Sequence, residues 1–273
     1  MNEAQRTVAN YEWPGLIQSI FDAIEAAGLD RAHLGPEDLA PLEEFHTLGR
    51  QATIDLANAA RVSRGERVLD VGAGLGGPAR ALARDYGCRV TALDLTPAYC
   101  EAAQLLNELT GLDAVVEVKQ GDALDLPFGQ ESFDVVWTQH ASMNIADKAT
   151  FYREIARVLA HGGRFAMFDI LAGDAGPVHF PVPWASEPSM SFLATPDETR
   201  DLVSEAGLAP LVWDDVTPDV LAWLNSRTTG AVADAPGLRG FDALAPDMPR
   251  RLANQVRNVK EQRVRFLLAV FVK

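Results

Sequence analysis

The stretch from Val68 to Gly77, VLDVGAGLGG, constrains the fold more than any other part of this 273-residue chain. Apolar residues of strand character run into glycines at 72, 74 and 77, and Pro78 stands where a helix would take its first turn. A strand, a tight turn and a helix in that order open a parallel α/β sheet, whose ligands collect beyond the carboxyl ends of the strands. The glycines satisfy G-x-G-x-x-G, which makes a nicotinamide or flavin dinucleotide the first ligand to weigh. Asp70 argues against it. A carboxylate two residues before the first glycine would repel a pyrophosphate laid over the turn, whereas it would favour a cationic ligand.

From Arg67 onward, strand-like and helix-like stretches alternate, as a parallel sheet with crossover helices requires. Strands are expected at 68–71, 89–94, 115–122, 133–139, 164–170, 208–216 and 263–273. Thr96 and Pro97 open a helix that Gly111 stops, and Asp147 caps one that Gly162 and Gly163 end. Thr195, Pro196 and Glu198 form a capping box with proline in the first turn. Residues 171–195 interrupt the alternation with four prolines among Phe180, Trp184 and Phe192, as an aromatic lid would. Residues 229–247 read as a loop rich in glycine, proline and alanine. Before Arg67, Leu16, Ile17, Ile20, Phe21 and Ile24 trace a helical stripe, and residues 48–60 suggest a second helix. The expected division is a helical cap over 1–64 and an α/β domain over 65–273.

A formal charge of −14 disfavours nucleic acid as a partner, because backbone recognition needs clustered Lys and Arg. No apolar run approaches the roughly 20 residues of a membrane helix, and no charged leader with a cleavage site opens the chain, so a cytoplasmic setting is expected. Cys88 and Cys100 lack metal or redox spacing and read as buried thiols, so no metal is expected.

Asp70, Asp94 and Asp122 stand at the carboxyl ends of the first three strands. With LDVGAGLGG, TALDLT, QGDALDLPF, SFDVVWTQHASMNI and VLAHGGRFAMFDI in order across residues 65–210, the chain resembles the class I S-adenosylmethionine-dependent methyltransferases. It is most similar to their small-molecule branch, which includes sarcosine/dimethylglycine and phosphoethanolamine enzymes. The resemblance implies a Rossmann-like, mostly parallel seven-stranded sheet with an antiparallel last strand. It also implies S-adenosylmethionine as cofactor, with S-adenosylhomocysteine as product. In that reading Gly72 and Gly74 admit the methionine portion, Asp70 faces its ammonium, and Asp94 takes the ribose hydroxyls. Leu95 lies along the adenine, Asp122 accepts from its amino group, and the Ala123 amide meets a ring nitrogen.

Gln139 and His140 end the fourth strand, which in the resembled family faces the reacting centre and touches the cofactor. His140 is the candidate general base for a small-molecule acceptor, here expected to be an amine nitrogen, with hydroxyl or carbon acceptors as the alternative. Tyr11, Trp13, His46, Phe180 and Trp184 are candidate acceptor-site residues, since aromatic faces attract a cationic amine. Two further readings keep the same fold: an NAD-dependent oxidoreductase, and a cofactor-binding module without catalysis.

Overall fold

The computed structural model describes residues 7, 8, 11, 15–43, 46–228 and 247–273. Its sheet has seven strands: β1 (Arg67–Val71), β2 (Arg89–Asp94), β3 (Val116–Gln120), β4 (Phe133–Gln139), β5 (Leu159–Ala172), β6 (Ala209–Asp215) and β7 (Val264–Val272). They lie in the order β3-β2-β1-β4-β5-β7-β6. Pairings through β5 are parallel, and β7 runs antiparallel to both β5 and β6, which gives the expected mostly parallel sheet with a reversed last strand. The order reverses between β1 and β4, so the crevice beyond their carboxyl ends is the topological site for a ligand.

Strand alternation divides the apolar side chains between two cores. Val68, Val90, Val135, Trp137, Phe168 and Phe266 pack on one face, and Leu69, Leu93, Val136, Phe165, Met167 and Phe271 on the other. Burial on both faces explains the near-continuous apolar runs of β4, β5 and β7. Alternation also places Asp70, Asp94 and Gln139 on the first face, with Trp137.

Before the sheet run α1 (Leu16–Ala26), α2 (Pro36–Glu43) and α3 (Arg50–Ala59). Leu16, Ile20 and Ile24 of α1 pack with Leu39 and Leu42 of α2 against Leu106 and Tyr99. By contrast, Ala52, Leu56 and Ala57 of α3 belong to the same core as β1 and β4. Helix α3 therefore packs as a layer on the sheet, although the expected boundary after residue 64 placed it in the cap.

Between the strands run α4 (Gly77–Tyr86), α5 (Pro97–Leu109), α6 (Lys148–Val158), α7 (Pro196–Glu205), α8 (Thr217–Thr228) and α9 (Met248–Lys260). The capping box at Thr195 and Glu198 is present, and Asp147 caps α6 through the Thr150 amide. Thr96 occupies the cap position of α5, but its side chain makes no capping bond. Asp94 instead accepts from the Thr96 amide at 2.8 Å, which fixes the residue that enters the helix. Gly162 and Gly163 do not end α6. The helix stops at Val158 and both glycines lie inside β5, where a Cβ on Gly163 would come within 2.8 Å of the Ala160 carbonyl. Helix α9 was not foreseen, although Met248, Leu252, Val256 and Val259 stand at helical spacing. The expected loop at 229–247 lies, up to residue 246, outside the described residues.

Candidate active site

The glycine turn gives the site its floor. Gly72, Gly74 and Gly76 have φ of 78°, 57° and 84°, a conformation that side chains other than glycine rarely adopt. The Gly72 and Ala73 amides both donate to the Leu93 carbonyl, at 2.8 and 3.1 Å, which ties the turn to the end of β2. A Cβ on Gly72 would meet the Ala141 Cβ at 2.9 Å, so the loop after β4 closes directly over the turn. Asp169 holds that loop: fully buried, it accepts from the Ser142 amide at 2.8 Å. Lys148 secures the same turn by donating to the Ser142 carbonyl at 2.6 Å.

Two carboxylates flank the turn. Asp94 accepts from the Gly74 amide at 2.8 Å with one oxygen and from Thr96 with the other. Each oxygen retains a lone pair for a further donor. Asp70 is 2% exposed, and its Oδ2 has no hydrogen-bond partner among the described residues. Burial, reinforced by the charge of Asp94, pushes the Asp70 carboxyl up to about 8. The charge of Arg80 offsets this only in part, and a cationic ligand group beside Asp70 would bring its carboxyl back toward ordinary ionisation.

The rim continues along β2 and β3. The Gly121 amide donates to the Asp94 carbonyl at 3.0 Å, bringing the two strand ends together. Asp122 folds back on its own loop and accepts from the Leu124 amide at 2.9 Å, with no hydrogen bond to its other oxygen among the described residues. Ala123 follows with no hydrogen bond at its amide among the described residues, and the Leu95 carbonyl accepts from Gln120. Acceptors at Asp70, Asp94 and Asp122 and a donor at Ala123 thus fit the sulfonium nucleoside expected from the sequence.

At the end of β4 the structure assembles what the sequence kept apart. Gln139 Oε1 accepts from Trp137 Nε1 at 2.9 Å and from the Thr53 hydroxyl of α3 at 3.1 Å. Because the indole nitrogen only donates, the amide orientation follows from the contact. His140 has φ 51°, and its backbone amide donates to the Phe168 carbonyl at 2.8 Å. Its ring lies 4.9 Å from that of Phe168, 5.8 Å from Phe266 and 6.1 Å from His46. Burial holds His140 well below the ordinary histidine value and His46 down at about 4, so both rings are neutral near pH 7.

The other acceptor-site candidates fall into place unevenly. The Tyr11 hydroxyl donates to Asn144 Oδ1 at 2.8 Å, and the Asn144 amide donates to the Trp184 carbonyl at 2.9 Å. Tyr11, the turn after β4 and the 171–195 segment are thereby joined. Trp184 is 2% exposed, with its indole donating to Ser191, so it serves as a structural post of the lid. Phe180 is partly buried against the main core. Trp13 lies outside the described residues. Helix α9 pins the lid, with Arg251 donating to the Val182 carbonyl at 2.9 Å and Asn254 to the Pro181 carbonyl at 2.9 Å. Thr47, Thr53 and Asn144 were not singled out from the sequence, because threonine and asparagine in helical or loop segments carry no signal of their own.

The family described as "Methyltransferase domain" matches residues 69–167, from β1 into β5. The chain is 33% identical over 272 residues to a 2-methyl-6-phytyl-1,4-hydroquinone methyltransferase of Synechocystis sp., a match covering 89% of this chain and 83% of that protein. It therefore belongs to the class I S-adenosylmethionine-dependent methyltransferases. It is also 31% identical over 177 residues, 65% of its length, to a glycine/sarcosine/dimethylglycine N-methyltransferase of Actinopolyspora halophila. The chain spans only 31% of that protein, and 54% of a sarcosine/dimethylglycine relative. Geranyl diphosphate C-methyltransferase from Streptomyces coelicolor A3(2) has the same fold, with a TM-score of 0.73 over 100% of this chain and 98% of its own at 18% identity. Among the described residues no helix is long and apolar enough to cross a membrane.

Proposed function

We propose that this chain transfers a methyl group from S-adenosylmethionine to a small-molecule acceptor held between the end of β4 and the lid. The observation that carries the reading is Asp70, a buried carboxylate with an unpartnered oxygen under the glycine turn. A ligand ammonium beside it would favour its ionised form, while a dinucleotide pyrophosphate over the same turn would gain nothing from Asp70 and would face the carboxylate of Asp94. When bound, the cofactor supplies a methyl on a positively charged sulfur. Gly72 and Gly74 would leave room for its amino-acid portion, Asp94 would accept from the ribose hydroxyls, and Leu95, Asp122 and Ala123 would hold the adenine.

The chain's own contribution to the transfer is alignment and proton removal. Gln139, held by Trp137 and Thr53, sets the wall of the site at the β4 end. His140, neutral near pH 7, takes the acceptor's proton, so the acceptor is a nucleophile that carries one: an amine in its ammonium form or a hydroxyl. The amine is supported by the N-methyltransferase relatives, and the hydroxyl by the uncharged surroundings of His140, whose ring neighbours are His46, Phe168 and Phe266.

Incubating the chain and a metabolite extract with isotopically labelled cofactor, then reading the products by mass spectrometry, tests the transfer and names the nucleophile. Binding of S-adenosylhomocysteine is expected by calorimetry, with none of NADH; the opposite result would replace this reading with an oxidoreductase. His140→Ala should lower labelled-methyl transfer by about 100-fold or more, the usual share of a general base, while leaving the affinity for S-adenosylhomocysteine unchanged.

A further inference from the structure

We propose that Thr47 is a positioning residue for His140. Its hydroxyl oxygen accepts the ring's Nε2–H, which leaves the Nδ1 lone pair as the base facing the acceptor. This inference rests on the role of His140 given above.

The Thr47 Oγ1 and His140 Nε2 lie 3.4 Å apart, and neither atom has another hydrogen bond among the described residues. Nδ1 has no partner there either. A neutral imidazole carries one N–H, and a hydroxyl can meet either tautomer. The choice turns on what is left at Nδ1. With the hydrogen on Nε2, Thr47 accepts it and the open ring nitrogen, Nδ1, carries the lone pair a base needs, whereas the other tautomer places an N–H on the open nitrogen and turns the lone pair toward Thr47.

Packing holds the ring in this pose. Phe168 and Phe266 lie along it, and His46 meets it nearly edge-on with an interplanar angle of 84°. The backbone at His140 is left-handed, a cost that non-glycine residues rarely bear without a compensating role. Thr47 itself is 5% exposed and comes from the cap segment that also supplies Thr53 to Gln139. Thr47, just before α3, and Thr53, within it, thus contact both residues at the end of β4.

The experiment uses the full chain labelled with ¹⁵N-histidine. Long-range ¹H–¹⁵N spectra read which ring nitrogen carries the hydrogen, and His140→Asn assigns the signal among the five histidines. The wild-type His140 is expected in the Nε2–H form. Thr47→Val should reduce the tautomer preference by roughly 3- to 10-fold, the net effect of one hydrogen bond, and Thr47→Ser should restore it. Thr47→Ala makes the same comparison if the valine variant fails to fold. An Nδ1–H wild type, or unchanged tautomers on losing the hydroxyl, overturns the proposal. Unaltered methyl transfer in His140→Asn removes the base and this role with it; lost transfer there beside unchanged tautomers in Thr47→Val removes Thr47 alone.

Discussion

Glu43 and Arg80 form an ion pair in which both side chains are wholly out of water. Arg80 also donates to the Leu75 carbonyl inside the glycine turn and to Asn107 Oδ1, the latter at 2.7 Å. One guanidinium therefore fastens the last residue of α2 to the cofactor turn. Glu43→Ala would leave a buried cation without its counter-charge, at a cost of about 3–5 kcal/mol. Urea denaturation should show a lower midpoint with little change in slope, and an unchanged midpoint would mean that the pair adds nothing to stability.

The carboxylate of Asp94 holds the Gly74 and Thr96 amides and, in the function proposed, also meets the ribose. Asp94→Ala removes both, so affinity for S-adenosylhomocysteine should fall by about 100-fold, the equivalent of one or two charge-assisted hydrogen bonds. Calorimetric titration checks it. Asp94→Asn keeps one carbonyl oxygen and should fall between the two.

Asp70 predicts a pH dependence. Its ordinary value is 3.8 and burial lifts it to about 8 in the fold. Between those values the unfolded chain has released a proton that the folded chain keeps, so this group's contribution to stability falls as pH rises from about 4 to 8 and is level above. Asp70→Asn abolishes that trend. Thermal denaturation without cofactor should find the variant gaining on wild type as pH rises through this window. Its binding of S-adenosylhomocysteine should nonetheless be weaker.

The histidines act in the opposite direction. His46 falls from 6.5 to about 4 on burial, and His140 is also lowered. Below pH 6.5 the unfolded chain takes up protons that the folded chain refuses, so stability is lost as pH falls toward 4. His46→Leu should make the midpoint less sensitive between pH 6.5 and 4.5 in the same denaturation series, and an unaltered slope would place the loss elsewhere.

Arg251 gives the last prediction. It donates to the Val182 carbonyl and to the Ser186 hydroxyl at 2.8 Å, fixing the lid from α9. Arg251→Ala should raise the rate of proteolytic cutting within residues 173–194 while sparing affinity for S-adenosylhomocysteine, since no cofactor group is assigned to the lid.

Much of this was legible in the chain itself. The order of strands and helices, the glycine turn and the acids at 70, 94 and 122 follow from periodicity, turn chemistry and local charge, all properties of neighbours in sequence. The residues that complete the β4 end were not legible in the same way. Thr47 lies 93 residues from His140, Thr53 86 from Gln139 and Glu43 37 from Arg80. Nothing local marks a threonine as the partner of a distant histidine or amide. Only the packing of α3 on the sheet face that carries Asp70, Asp94 and Gln139 brings these hydroxyls within reach. Sequence placed Asp70, Asp94 and Asp122 because they sit at the ends of consecutive strands; the folded chain alone decided the surroundings of Gln139 and His140, because burial and long-range contact supply their partners.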